Sequence, residues 1–439
     1  MSTIKNFIKN SNPVKLVFFG YIFYIIVGWI LLSFPFTRNI SINPLDNLFI
    51  ATSAISTTGL VTVDVGNSYN FFGQLIILGL IQMGAIGYMT FSSFVILTRK
   101  KTLPSTVENV AKTVFSLPEN FKINKFIYSV VIFTFIVELL GAITLYFIFS
   151  QHKLDNALWL AIFHSVSAFC TAGFSLFSNS FENFSNDFWL NFVISILSFS
   201  GAIGFIVFVD FWRTVKGKIK SITLTSQIII KLSFTMLFVG TMFIFITEPS
   251  LKGLPNWERL LNSFFQTVTS ITTVGFNTIN IGSVSKSTTI LITMGMIIGA
   301  SPSGTGGGIK TTTMSAVFAQ IKSSIFEKNE VTYKGIKIPE ARVKTALSTF
   351  SLYLIVLFIG IYLLSLTEKN GFEDIFFEAA SAIGTVGLSR GITESLSELG
   401  KLIIMLLMFI GRLGALSFGI AVFVKPKVLF DDKVQDLVI

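Results

Sequence analysis

Ser56-Thr57-Thr58-Gly59, Cys170-Thr171-Ala172-Gly173, Thr272-Thr273-Val274-Gly275 and Gly384-Thr385-Val386-Gly387 close four stretches of this 439-residue chain in nearly the same way. Their glycines are 114, 102 and 112 residues apart, so the repeating unit is about a quarter of the chain. Each segment follows an apolar stretch too short to cross a bilayer and precedes one that is long enough. A run of small residues presented four times offers backbone carbonyls from four sides, which is what a single chain needs to ring a cation. One glycine after threonine would simply end a helix. Four copies at matched positions point to a shared role, each glycine being free to take positive φ and turn successive carbonyls toward one axis. The residues that follow (Leu60, Phe174, Phe276, Leu388) are large and apolar, suited to packing the strand from behind.

Composition sets the solvent. Hydrophobic residues make up 52% of the chain and charged ones 13%, with 48 Phe. A soluble domain carries about twice that charge fraction and could not hide so much apolar surface. The chain therefore reads as an integral membrane protein. A single cysteine, Cys170, excludes an internal disulfide and any multi-cysteine metal site, and His152 and His164 leave little for a zinc or haem centre.

The net charge of +10 does not mark a nucleic-acid surface, because of where it lies. Of the 33 Lys and Arg, 23 fall in residues 1–15, 98–125, 213–231, 321–344 and 425–439. That asymmetry is the positive-inside pattern, which predicts cytoplasmic termini, three cytoplasmic basic loops in contact with anionic lipid, and an even number of spans.

Eight runs are long enough to span: 14–33, 72–97, 124–150, 188–212, 224–246, 287–320, 345–366 and 398–424. Between the members of each pair sits a shorter stretch: 45–57, 156–170, 257–272 and 372–384. At 1.5 Å per residue these reach only about 20 Å, short of the ~30 Å apolar core. They read as re-entrant half-helices that open on Pro44-Leu45-Asp46, Asp155-Asn156, Pro255-Asn256-Trp257-Glu258 and Gly371-Phe372-Glu373-Asp374. The predicted fold is an all-α integral membrane protein of four span–half-helix–filter–span repeats, 14–97, 124–212, 224–320 and 345–424, with pseudo-fourfold symmetry around one pore and a cytoplasmic tail, 425–439. A half-helix descending from outside points its partially negative C-terminus at the membrane centre, which favours a cation there. The extended segment after it survives at that depth only where it lines water or is buried in protein.

These four segments, with the Phe163-His164-Ser165 approach to the second, resemble the Trk/Ktr/HKT superfamily of potassium transporters, most closely the Ktr-type membrane subunits, over residues 14–424. In that family glycine at the filter position of the first repeat accompanies potassium selectivity, and this chain has Gly59 there. The resemblance implies K+ coordinated by the filter carbonyls, Na+ as an activator of uptake, a homodimer, and a cytoplasmic nucleotide-binding regulatory ring of the KtrA type docked on the basic inner loops. No organic cofactor is implied. Relatives commonly carry Asn beside the second Ala-Gly, where this chain has Thr171.

The sixth run is interrupted by the segment from Gly299 to Thr313, in which Pro302, Gly304, Gly306, Gly307 and Gly308 precede Lys310. Glycine costs about 1 kcal/mol and proline about 3 kcal/mol in a helix, so this stretch unwinds. The equivalent runs keep milder versions, Gly84-Ala85-Ile86-Gly87, Gly201-Ala202-Ile203-Gly204 and Gly411-Arg412-Leu413-Gly414. The resemblance makes the long interruption an intramembrane gating loop beneath the filter. A phosphate-binding loop is excluded on spacing, because Ile309 stands where glycine must precede the lysine. Arg412, mid-membrane, is expected to face the pore axis, forming a barrier under the filter or holding the loop by its carbonyls. Its bland alternative is a structural tie between repeats. Glu378 and His164 sit on half-helices, where satisfying local backbone is as good a reading as touching an ion.

Two other classes compete. A sodium- or proton-coupled secondary transporter of another small solute would also use broken helices, but its repeats tend to be inverted and paired. An intramembrane enzyme needs a nucleophile, a metal cluster or an acid–base pair, which one Cys, two separated His and scattered acids do not supply.

Overall fold

A computed structural model of the chain describes residues 13–87, 123–217 and 221–423. The end of the 72–97 run, most of the 98–125 basic loop and the 425–439 tail lie outside the described residues.

Asn43 accepts a hydrogen bond from the Leu45 N–H and Pro44 occupies the first helical position, so the chain enters a short helix immediately after a long one. The first quarter thus comprises α1 (Pro13–Ser33), α2 (Pro44–Ile55) and α3 (Phe71–Ile86). The second comprises α4 (Ile123–Gln151), α5 (Ala157–Phe169), α6 (Phe188–Ala202) and α7 (Phe205–Val215). In the third are α8 (Leu224–Thr247), α9 (Asn256–Thr272), α10 (Lys286–Ile297) and α11 (Thr311–Ile325). The fourth holds α12 (Glu340–Thr367), α13 (Phe372–Gly384), α14 (Glu398–Leu413) and α15 (Ala415–Phe423). The short helices α2, α5, α9 and α13 coincide with the four short apolar stretches of the sequence.

Among the described residues, four helices are long and apolar enough to cross a membrane: Val14–Ser33, Phe126–Gln151, Leu224–Thr247 and Glu340–Thr367. Each carries large exposed apolar side chains, among them Phe23, Phe147, Phe238 and Phe358, a surface suited to lipid and not to water. Two further helix pairs qualify only as bent units, α6 with α7 at 90° and α14 with α15 at 98°.

Those bends fall at the milder interruptions of the 188–212 and 398–424 runs, while the long unwound stretch is confined to the third quarter. The cause is the Gly-x-x-Gly motif. A Cβ on its first glycine (Gly84, Gly201, Gly411) would fall on the carbonyl oxygen of Ile55, Phe169 or Ile383, so the helix backbone can approach the end of its short helix only where no side chain stands between. Its second glycine turns the chain at positive φ: Gly87 at 80°, Gly204 at 93° and Gly414 at 82°. In the third quarter Gly295 makes the corresponding approach to Ser270 and Ile271, but Ile298 holds the corner position and the chain runs on without helix to Thr311.

Packing closes the arrangement. Within each quarter the short helix packs on the long one before it and on the helix after it. Between quarters α3 packs on α5, α6 on α9, α10 on α13, and α14 returns to α2. The polar 325–343 link contains a short hairpin pairing Thr332 with Lys337 and Tyr333 with Ile336. Its turn, Lys334-Gly335, takes positive φ at both residues, as a tight hairpin requires.

Candidate ion-coordinating site

All four short helices end in the same backbone motif. The N–H of Thr57, Thr171, Thr273 and Thr385 donates to the carbonyl three residues back, at 3.1, 3.1, 3.3 and 3.1 Å. The next N–H (Thr58, Ala172, Val274, Val386) donates five residues back, to Ser53, Ser167, Thr269 and Ser381, at 2.9, 2.8, 3.1 and 2.9 Å. This is the Schellman closure, whose left-handed residue is normally glycine. Here it is threonine every time, with φ of 50°, 50°, 58° and 49°. A β-branched residue in this region costs about 1–3 kcal/mol, so each turn stores strain that the packing around it must hold. Two residues on, Gly59, Gly173, Gly275 and Gly387 again take positive φ, at 93°, 66°, 82° and 96°.

The four turns meet. A Cβ on Gly59 would strike the carbonyl oxygen of Ala172; one on Gly173, that of Val274; one on Gly275, that of Val386; and one on Gly387, that of Thr58. Each glycine therefore lies against the carbonyl preceding the next glycine, and the series returns to its start. Of the sixteen residues that the sequence singles out, this ring joins the four glycines with Thr58, Ala172, Val274 and Val386. Ser56, Thr57, Thr58, Cys170, Thr171, Ala172, Thr272, Thr273, Val274, Thr385 and Val386 are buried. The C-terminal ends of four helices converge at the same place, bringing partial negative charge. The hydroxyls of Thr57 and Thr385 are buried without a protein hydrogen-bond partner, which leaves their oxygens free for another ligand. Among the described residues no group of three or more His, Cys, Asp or Glu could hold a metal ion, so any cation here meets main-chain and hydroxyl oxygen.

The loop from Gly299 to Lys310 lies against the same threonines. Thr305 Oγ1 is 3.1 Å from Thr171 Oγ1, and the Gly307 N–H donates to Thr273 Oγ1 at 3.0 Å. A side chain on Gly307 would collide with Thr385, and one on Gly304 with the Ala202 carbonyl. Ser301 and Thr305 donate their N–H groups to the carbonyls of Ala202 and Gly201, both at 3.0 Å. Pro302 packs beside Gly204, and Gly308 turns at φ 68°. Arg412 donates to the Thr305 carbonyl and, on its other nitrogen, to the carbonyls of Gly84 and Ala85, the latter at 3.2 Å. Lys310 folds back onto the Gly306 carbonyl at 2.5 Å. The loop is thus tied directly to the second, third and fourth quarters, and to the first only through Arg412.

Behind the ring, Cys170 Sγ lies 3.4 Å from Gln82 Oε1 and 3.6 Å from Glu138 Oε1, while Gln82 donates to Glu138 at 3.2 Å. Asp64 is spent capping Asn67 at 3.1 Å. In the link between α5 and α6, burial raises the Glu182 carboxyl above the ordinary carboxylate value, and the Asn277 amide bond offsets this only in part. Sequence reasoning missed the left-handed threonines and the role of Gln82. The repeated Thr two residues before each glycine was the available signal for the first.

The TrkH family profile, described as "Cation transport protein", matches residues 22–428. The chain is 34% identical to the potassium/sodium uptake protein NtpJ of Enterococcus hirae, covering 95% of this chain and 94% of that protein. It is 33% identical to the Ktr system potassium uptake protein B of Bacillus subtilis, covering 93% and 92%. Among solved structures it shares the fold of the potassium transporter TrkH from Vibrio parahaemolyticus, with a TM-score of 0.69, 19% identity, and coverage of 92% of this chain and 84% of that one.

Proposed function

The chain belongs to the TrkH family of cation transport proteins, which move ions and catalyse no reaction, and on that premise we propose that it takes up potassium across the cytoplasmic membrane through a carbonyl-lined filter. In this reading the chain has eight spans, both termini in the cytoplasm and pseudo-fourfold symmetry around one pore. A K+ ion arriving from outside exchanges its water for the carbonyls around Gly59, Gly173, Gly275 and Gly387 and for the threonine hydroxyls below them. Helix C-termini stabilise it there, and the loop from Gly299 to Lys310, held by Arg412, gates the passage beneath. Flux follows the electrochemical gradient. The resemblance to Ktr-system proteins extends the reading to a homodimer on a nucleotide-binding regulatory ring that contacts the basic inner segments, and to stimulation by Na+.

The observation that carries it is the closed cycle in which each of four glycines abuts the carbonyl preceding the next. Rubidium uptake in potassium-transport-deficient cells tests it. The parent chain is expected to restore uptake with Na+ competing poorly. Gly59→Ser is expected to weaken that discrimination, because a side chain at φ 93° would push the Ala172 carbonyl out of line. No rubidium uptake above the vector control would overturn the reading, and saturable uptake of an organic solute instead would favour a coupled secondary transporter.

A further inference from the structure

Nine residues before the four ring glycines stand Ile50, His164, Gln266 and Glu378, one on each short helix and every one at 0% exposure. The last three are polar, and each reaches the strand leaving its own glycine. His164 Nδ1 is 2.8 Å from the Leu160 carbonyl, which can only accept, so that nitrogen carries the proton. Nε2 is then an acceptor, 3.3 Å from the Leu176 N–H and 3.1 Å from Ser175 Oγ. Gln266 Nε2 is 3.4 Å from Thr278 Oγ1, which in turn donates to Asn262 at 2.6 Å. The Glu378 carboxylate accepts from Ser389 Oγ at 2.7 Å and from Thr393 Oγ1. In the first quarter Ile50 has nothing to offer, and the Thr62 hydroxyl, three residues after Gly59, is buried without a partner.

We propose that this position is a strut that sets ion discrimination by fixing the strand beyond each ring glycine, and that Glu378 and His164 are positioning residues for the filter. The strand has no hydrogen-bond ladder of its own, so side chains from the short helix decide how far its carbonyls can move. A ring free to contract can follow the smaller Na+ ion, whereas a ring held open cannot. Glu378 and His164 belong to quarters two and four, which face each other across the cycle, so they brace opposite sides. Glu378 makes the firmest hold because both of its carboxyl oxygens are engaged, one by Ser389 and one by Thr393. The series was invisible as a motif because Ile, His, Gln and Glu share no chemistry; only their common offset and their common target join them.

This inference rests on the potassium reading above, and its experiment separates the two. Rubidium uptake is measured against rising external Na+ for the parent, Glu378→Leu, Glu378→Gln, His164→Leu, His164→Gln and Ser389→Ala, with membrane content followed by an epitope tag. The leucine variants and Ser389→Ala are expected to need about tenfold less Na+ to halve uptake, the scale of one lost hydrogen bond. The glutamine variants, which keep an acceptor oxygen at similar reach and can offer their amide N–H to a neighbouring hydroxyl oxygen, are expected to stay within about twofold of the parent. Should a leucine variant fail to reach the membrane, Ser389→Ala carries the same test, since it removes only the partner hydroxyl. Parent-like Na+ competition in Ser389→Ala and the leucine variants would overturn the strut while leaving the potassium reading intact. Glutamine variants as impaired as leucine would also overturn it, pointing to packing alone. A parent without rubidium uptake would remove both.

Discussion

Lys401 Nζ lies 2.6 Å from Asp46 Oδ1, although 355 residues separate them in the chain. The pair joins the start of α14 to the start of α2, so the last quarter is fastened to the first on the same side as the strand leaving the ring. Both side chains are largely out of solvent, at 15% and 13% exposure, so screening does not erase the interaction. Removing either partner strands the other charge and is expected to cost about 1–2 kcal/mol, between the values for exposed and buried pairs. Thermal unfolding in detergent of Asp46→Asn, Lys401→Met and the charge-exchanged double variant checks this. The exchanged pair should recover more than half the loss; simple addition of the single losses would show no coupling.

The left-handed threonines make an unusual prediction about stability and activity. Thr57→Gly removes the strain of φ 50° together with a buried hydroxyl that has no protein partner. It should raise the melting temperature, by the equivalent of about 1 kcal/mol, while slowing rubidium uptake. Thr57→Val keeps the strain and loses the hydroxyl, so it should slow uptake with no gain in stability. A lower melting temperature for Thr57→Gly would mean that the turn is not strained.

Arg412 holds Thr305 by its carbonyl, and that bond is the loop's tie to the fourth quarter's broken helix. Deleting residues 303–308, or replacing Arg412 by Gln, is expected to raise flux in liposomes, by about tenfold for one lost charge-assisted bond. Flux unaltered in both would count against gating by this loop.

Acid should loosen the C-terminal end of α8. Glu248 bridges Ser250 to Ser285, the cap of α10, accepting from the two N–H groups at 3.0 and 3.1 Å and the two hydroxyls at 2.7 and 2.9 Å. Burial pushes its carboxyl up, but hydrogen bonds from Thr288, Ser250 and Ser285 outweigh this and leave it below the ordinary value. A carboxyl lowered on folding stabilises fully above its unfolded value, about 4.3, and loses that contribution as pH falls through the lowered one. Melting temperature should therefore drop on acidification below about pH 4, and Glu248→Gln should flatten that part of the profile. Identical acid profiles for both proteins would assign the drop to other groups.

Much of this architecture was legible in the sequence, and the parts that were not share a reason. The short helices could be read because Pro44 and Asp46 mark a start and the Thr-Gly segments mark an end, with too few residues between to cross a bilayer. Convergence of the glycines could be read from repetition. The bends at Gly204 and Gly414 could not, since one glycine in an apolar run does not disclose its φ; that depends on how closely Gly201 and Gly411 sit on the carbonyls of Phe169 and Ile383. Left-handed threonine was hidden because local preference argues against it, and the surrounding packing prevails. Arg412 could be read as facing polar backbone, but its second tie, to Gly84 and Ala85 in another quarter, is a property of the assembled ring.

The most direct test of the central claim is crystallographic. Crystals of the protein soaked in thallium or rubidium salts should show an anomalous peak inside the ring, coordinated by the carbonyls of Thr58, Ala172, Val274 and Val386, and exchange with sodium should diminish it. A cation bound elsewhere in the molecule, with none among those four carbonyls, would contradict the account.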